Sequence, residues 1–163
     1  MTVALALAGI GAVALAVTLL RLLRRRFLLV VVSGTSMEPT YEDGDRLLAR
    51  RRPGTAIPVG SVVVLTGHSG QESGHYAPVK VGDRTLLLRT SRYLVKRLAA
   101  RPGDPVPPDC VTVVGDGGPA VVPPGKVVVL GDNRMSSLDS RVFGFLDEQR
   151  ILGTVIRRLG AGA

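Results

Sequence analysis

Residues 122–144 read VPPGKVVVLGDNRMSSLDSRVFG. Lys126–Leu130 is a short run with three successive valines, opened by Pro124-Gly125 and stopped at Gly131-Asp132, the pattern of a strand between turns. The segment behind it is polar, and Ser137, Asp139 and Arg141 alternate along it. The same strand-and-turn pattern predicts strands at Phe27–Val32, Arg46–Arg50, Ser61–Leu65, Thr85–Arg89, Leu94–Leu98 and Val111–Val114. Pro-Gly pairs at 53, 102 and 124 and an Asp43-Gly44-Asp45 turn punctuate them, with a Gly/Ser/His-rich loop at 66–75. No helical period longer than a turn or two appears beyond residue 26. The reading is an all-β domain.

With 163 residues, 20 glycines and 11 prolines, the chain has room for one modest core of short strands plus a short extension. The formal net charge is +8, which suits nucleic acid or an anionic membrane surface. The arginines cluster at 21, 24, 25 and 26, at 50–52 and at 157–158, with no aromatic interleaving and no helix-turn-helix pattern. That placement speaks against nucleic acid. Cys110 is the single cysteine and reads as a small buried apolar side chain, with no internal disulfide open to it. His68 and His75 lie in the polar loop without a third ligand type, so neither metal nor cofactor is expected.

Met1 to Leu20, MTVALALAGIGAVALAVTLL, carries no charged side chain. Twenty helical residues rise about 30 Å, the hydrocarbon thickness of a bilayer. No basic residue precedes the stretch and no polar cleavage region follows it, so an uncleaved anchor fits better than a removed signal. Two domains result: 1–26, a transmembrane helix with its basic flank, and 27–163, the β domain. Arg21, Arg24, Arg25 and Arg26 follow the apolar stretch, and the positive-inside rule would hold that end in the cytoplasm.

Two residues invite a chemical reading. Ser36 follows the Ser33-Gly34 turn at the end of a strand, where a hydroxyl can face a cleft; alone it is an ordinary turn serine. Lys96 is one of three lysines among 21 basic residues. Arginine cannot give up its proton at accessible pH, whereas a desolvated lysine can. On a strand, Leu94, Lys96 and Leu98 share a face, which would place the amine between two leucines and depress its pKa. Bringing a lysine from ~10.4 to about 7 costs around 4 to 5 kcal/mol. The alternative is a lysine at a strand edge reaching to water. The polar loop at 131–141 could hold a buried amine by hydrogen bonds and an ion pair.

Taken in order, SGTSMEPT (33–40), YLVKRLAARPGD (93–104) and VPPGKVVVLGDNRMSSLDSRVFG (122–144) resemble the motif boxes of type I signal peptidases. The resemblance implies a signal-peptidase-like antiparallel β domain and a Ser/Lys dyad that cleaves signal peptides from exported preproteins after small-x-small residues at the membrane surface. Ser36 would be the nucleophile and Lys96 the general base. Ser137 would orient Lys96, and Asp139 and Arg141 would form the supporting ion pair. The Ser36 N–H would contribute to the oxyanion hole, Asp132 and Asn133 would shape a turn, and Arg97, Pro102, Gly103 and Asp104 would be structural. The lining of the substrate pocket is expected near Val31 to Ser33, Met37 and Leu94. The family implies a single-pass protein of the cell membrane with its catalytic domain outside the cytoplasm, opposite to the bias of the arginine cluster.

Three positions depart from the family pattern. Gly34 stands where some members have a serine that helps to bind the oxyanion, the stretch 105–121 is too short for the extra domain of some relatives, and Gly60-Ser61-Val62 replaces a Gly-Asp-hydrophobic box. A self-cleaving repressor-type protease also uses Ser and Lys, but would want a DNA-binding domain in place of the apolar stretch. An inactive membrane-tethered binding module would not need Ser36, Lys96, Ser137 and Asp139 together.

Overall fold

Val62 to Leu65 are buried at four successive positions, so both faces of this strand are covered and the sheet is built around it. The computed structural model describes residues 2–67, 76–81, 84–89, 93–110 and 121–160; the side chains of 2–10, 12, 76–81 and 84–89 lie outside the described residues. Nine strands are described: β1 Phe27–Val31, β2 Arg46–Arg51, β3 Val62–Thr66, β4 Tyr76–Val81, β5 Arg84–Arg89, β6 Tyr93–Ala100, β7 Lys126–Leu130, β8 Leu146–Asp147 and β9 Ile151–Gly160. Seven form one sheet in the order β1-β2-β9-β3-β6-β7-β8, with every pairing antiparallel. β4 and β5 pair separately as an antiparallel two-stranded sheet. The all-β reading stands.

Val62 and Val64 join Val30, Val32, Met37, Leu47, Ala49 and Val95 in one apolar cluster. Val63 and Leu65, pointing the other way, join Ile57, Leu98, Val127, Val129, Leu146 and Ile151 in a second. Cys110 is buried with Ala100, Val122 and Val128, and burial pushes its thiol up to about 11, consistent with an inert apolar filler.

Three strands escape the sequence pattern. β9, ILGTVIRRLG, has two glycines and two arginines that break apolar alternation, and its pairings with β2 and β3 contain register shifts. Gly153 is needed there: a Cβ would lie 2.2 Å from the Arg50 carbonyl oxygen. Thus β9 exists because β2 and β3 both require a partner, a long-range demand. β4 contains Pro78, which demotes a strand by local rules, and β8 has only two residues. The strand expected at Val111–Val114 and both histidines lie outside the described residues.

A helix, α1 Thr2–Arg26, leads directly into β1. Among the described residues no helix is long and apolar enough to cross a membrane; much of the stretch read as an anchor has its side chains outside them. A second helix, α2 Ser140–Phe143, is a single turn, and the Asp139 carboxylate caps it by accepting the Arg141 N–H.

Candidate active site

Ser36 sits in the loop between β1 and β2. Gly34 enters it with φ +87°, a conformation that favours glycine, and its N–H donates to Asp43 Oδ1 at 2.7 Å. Two contacts tie the Ser36 region to the loop after β7. Asn133 N–H donates to the Ser36 carbonyl at 3.1 Å, and the hydroxyls of Thr35 and Ser136 lie 2.9 Å apart. The Ser36 N–H has no acceptor among the described residues, which leaves it available to an oxyanion.

Lys96 lies on β6 opposite Val63 of β3, with Leu94 and Leu98 on the same face. It is only 4% exposed. Its Nζ donates to Ser137 Oγ at 3.0 Å. Burial lowers its pKa to about 8; the Asp139 carboxylate opposes that shift and the Arg141 guanidinium reinforces it. Ser36 and Lys96 line one cleft, together with Val31, Val32, Ser33, Met37, Tyr93, Leu94 and Val95.

Behind Ser137 lies a buried ion pair. Arg141 grips Asp139 through Nε at 2.9 Å and Nη2 at 2.7 Å, and Gly131 N–H donates to the same carboxylate at 2.8 Å. Burial alone would raise the Asp139 pKa; the Arg141 fork, the Gly131 N–H and the Ser137 hydroxyl outweigh it and hold the carboxyl below its ordinary value. Asp139 therefore stays ionised without exposure, and Ser137 stands between it and the amine. Of the five sequence-predicted residues, Ser36 and Lys96 line the cleft, Ser137 reaches it through its bond with Lys96, and Asp139 and Arg141 lie behind Ser137.

The profile of the family described as signal peptidase, peptidase S26, matches residues 3–120 and 109–159. Signal peptidase I T of Bacillus subtilis (strain 168) is 35% identical, over 83% of this chain and 76% of its own. Signal peptidase I of Bacillus amyloliquefaciens is 34% identical with the same coverage, and signal peptidase IB of Staphylococcus aureus (strain COL) is 32% identical over 76% of this chain and 73% of its own. The chain belongs to the signal peptidase family S26.

Membership makes it a serine peptidase, and its site depends on residues whose part no motif spacing reveals. Gly131 is one. A Cβ there would lie 2.1 Å from Ser137 Oγ and 2.5 Å from the Ser36 carbonyl oxygen, so only hydrogen fits between the two serines. Its place at the head of Gly-Asp-Asn was the available signal, but nothing local reveals the crowding. Arg97 and Asp132 are another case. Arg97 donates through Nε and Nη2 to the two Asp132 oxygens at 2.8 and 2.6 Å, and through Nη1 to the Gly60 carbonyl at 2.7 Å. Thr40 donates to the same carboxylate at 2.5 Å. The Arg97 and Thr40 bonds hold Asp132 below its ordinary pKa against the opposing effect of burial. Arg97 and Asp132, read separately as a structural residue and a turn former, are one bidentate clamp joining β6, the Ser36 loop and the loop after β7.

Proposed function

We propose that this chain is a membrane-anchored serine endopeptidase that removes signal peptides from exported preproteins, with Ser36 as nucleophile and Lys96 as general base. The observation that carries the reading is a nearly inaccessible lysine, its pKa lowered to about 8, in the cleft that also holds Ser36. Near neutrality a useful fraction of such an amine is uncharged and able to accept a proton.

The neutral Lys96 amine takes the Ser36 hydroxyl proton as Oγ bonds to the scissile carbonyl carbon. The oxyanion so formed accepts from the Ser36 N–H, a contact whose loss costs about 3 to 4 kcal/mol in comparable sites. The ammonium then protonates the departing amine as the C–N bond breaks, leaving an ester on Ser36 Oγ. The neutral amine next draws a proton from water, the hydroxide attacks the ester carbon, and Oγ recovers its proton. Throughout, Ser137 fixes the position of Nζ, and Asp139 with Arg141 fixes Ser137. With Gly34 in place of a serine, position 34 offers no hydroxyl to the oxyanion.

Residues 1–26 serve as a single-pass anchor with its basic flank and 27–163 as the catalytic domain, outside the cytoplasm in the cell membrane. The charge-free stretch Met1–Leu20 supports this assignment. Lys96→Arg and Ser36→Ala decide the chemistry. Each is expected to abolish cleavage of a preprotein in lipid or detergent while retaining the wild-type circular dichroism spectrum. Full activity in either folded variant overturns the dyad.

A further inference from the structure

Ser36 rides on the segment 33–45, which carries the chain from β1 to β2 outside any strand. Two backbone bonds close the base of this segment: Val32 N–H donates to the Asp45 carbonyl at 2.8 Å, and Gly44 N–H to the Val32 carbonyl at 3.0 Å. Within it, Glu38 N–H donates to the Thr35 carbonyl at 3.2 Å. A peptide unit is planar with its N–H opposed to its C=O, so this bond aims the Ser36 N–H away from Glu38. On the far side, the Asn133 bond holds the Ser36 carbonyl. Gly34 is the loose link. Its φ is +87°, and a Cβ there would meet nothing within 4 Å among the described residues, so no packing restrains it. One side chain does, through the 2.7 Å bond from Gly34 N–H to Asp43 Oδ1, nine residues further on. Asp43 sits in a turn that is itself held. The Asp45 carboxylate, 0% exposed, accepts Glu42 N–H at 2.9 Å and pairs with Arg158 of β9 at 2.7 Å.

We infer that Asp43 is a positioning residue for the oxyanion: by holding the Gly34 N–H it fixes the direction of the Ser36 N–H two residues on. The inference rests on the Ser36 and Lys96 reading above and adds to it a group that touches neither substrate nor base. Position 34 has no hydroxyl to offer, so the developing charge depends on how well the Ser36 N–H is aimed. A donor contributes fully only when it is in place before the charge forms. A carboxylate accepting a backbone N–H makes a strong, directional bond, and here it replaces the restraint that a glycine with positive φ lacks. Burial separates the two aspartates of the turn. Asp45 is enclosed, and its pairing with Arg158 supports the fold of the turn; Asp43 is exposed, and its contact among the described residues is the Gly34 N–H. Asp43 therefore governs aim more than stability.

Asp43→Ala, Asp43→Asn and Glu42→Ala test this in the full chain in detergent. Asp43→Ala is expected to lower kcat on a soluble peptide about 10- to 100-fold, short of the roughly 10²- to 10³-fold that loss of the donor itself costs, with KM nearly unchanged. Asp43→Asn keeps an acceptor oxygen and should stay within about fivefold of the wild type. Glu42→Ala removes an equal charge from the same turn and should leave kcat as it is. A peptide aldehyde gives a second readout, because its adduct with Ser36 Oγ places an oxygen where the oxyanion forms. Asp43→Ala should weaken the aldehyde by the same factor as kcat/KM, while a non-cleavable peptide binds as tightly as before. Equal losses for both ligands, a raised KM with kcat kept, an Asn variant as slow as Ala, or a Glu42→Ala that matches Asp43→Ala overturns the proposal. Nitrogen-15 relaxation of the amides of residues 34–36 reads the restraint without catalysis. Their order parameters should fall from about 0.85 to below about 0.6 in Asp43→Ala but not in Asp43→Asn, and unchanged order also overturns the proposal. A wild type that neither cleaves the peptide nor takes up the aldehyde would count against the proteolytic reading, and the relaxation result then decides the role of Asp43 by itself.

Discussion

Lys96 Nζ donates to Ser137 Oγ across 3.0 Å, joining β6 to a loop 41 residues further along the chain. The contact fixes the amine in an apolar surround without giving it a counter-ion, so the proton is held loosely. In the proposed dyad Lys96 acts as base only when neutral. With a pKa of about 8, kcat/KM on a soluble peptide is expected to rise about tenfold per pH unit below that value and to level off above it. A profile already flat from about pH 6 would remove Lys96 from the role.

The same burial costs stability. The folded pKa of about 8 lies below the ordinary 10.5, so the fold disfavours the charged amine. The penalty is complete below pH 8, fades as pH rises from 8 towards 10.5, and is gone above that. Lys96→Met should therefore stabilise the protein by about 3 kcal/mol at pH 7, abolish activity, and show little gain at strongly alkaline pH. Denaturant titrations at two pH values measure the difference, and an equal gain at both would contradict it.

Ser137→Ala removes the acceptor from a buried amine. Leaving such a group unsatisfied costs about 1–3 kcal/mol, which predicts a fall in kcat of roughly 10- to 100-fold with little change in KM. Ser137→Thr keeps the hydroxyl and should recover part of the rate. If Thr behaves like Ala, the added methyl rather than the hydrogen bond governs this position.

Arg141→Gln leaves the Asp139 carboxylate, 0% exposed, without its bidentate partner. Breaking a buried pair from one side typically costs about 3–5 kcal/mol. Arg141 also lowers the Lys96 pKa while Asp139 raises it. In the folded fraction, the pH–rate profile should therefore move to higher pH. A profile that stays in place or moves to lower pH would refute this electrostatic link.

Gly131→Ala adds one methyl in the space shared by Ser137 and the Ser36 carbonyl. Both serines must move, and a 1 Å misplacement can cost about 10²-fold in rate. Activity should fall by at least about that factor in a chain that still folds. Near-normal turnover would mean that the two loops are looser than their contacts imply.

The strands at 27–31, 62–66 and 126–130 were legible because β-branched runs bounded by turns carry their own signal, and 46–51, which has no β-branched residue, because it follows the Asp43-Gly44-Asp45 turn. β9 was not, because its arginines and glycines suit neighbours far away in sequence rather than a local pattern. The apolar face of Lys96 could be inferred from Leu94 and Leu98. The Arg97–Asp132 clamp could not, since no spacing links residues 35 positions apart. The expected ion pair of Asp139 and Arg141 spans only one intervening residue, and the one-turn α2 that Asp139 caps brings them together.

By itself the sequence determined the residue types available for the chemistry and the short, turn-bounded strands that carry them, because both depend on near neighbours along the chain. Tertiary structure alone decided how dry the amine is, that the Arg97–Asp132 clamp ties β6 to two loops, and that Gly131 keeps two serines in register. Desolvation and steric contact are properties of what packs around a group, and here those neighbours arrive from β3, the loop before β2 and the loop after β7.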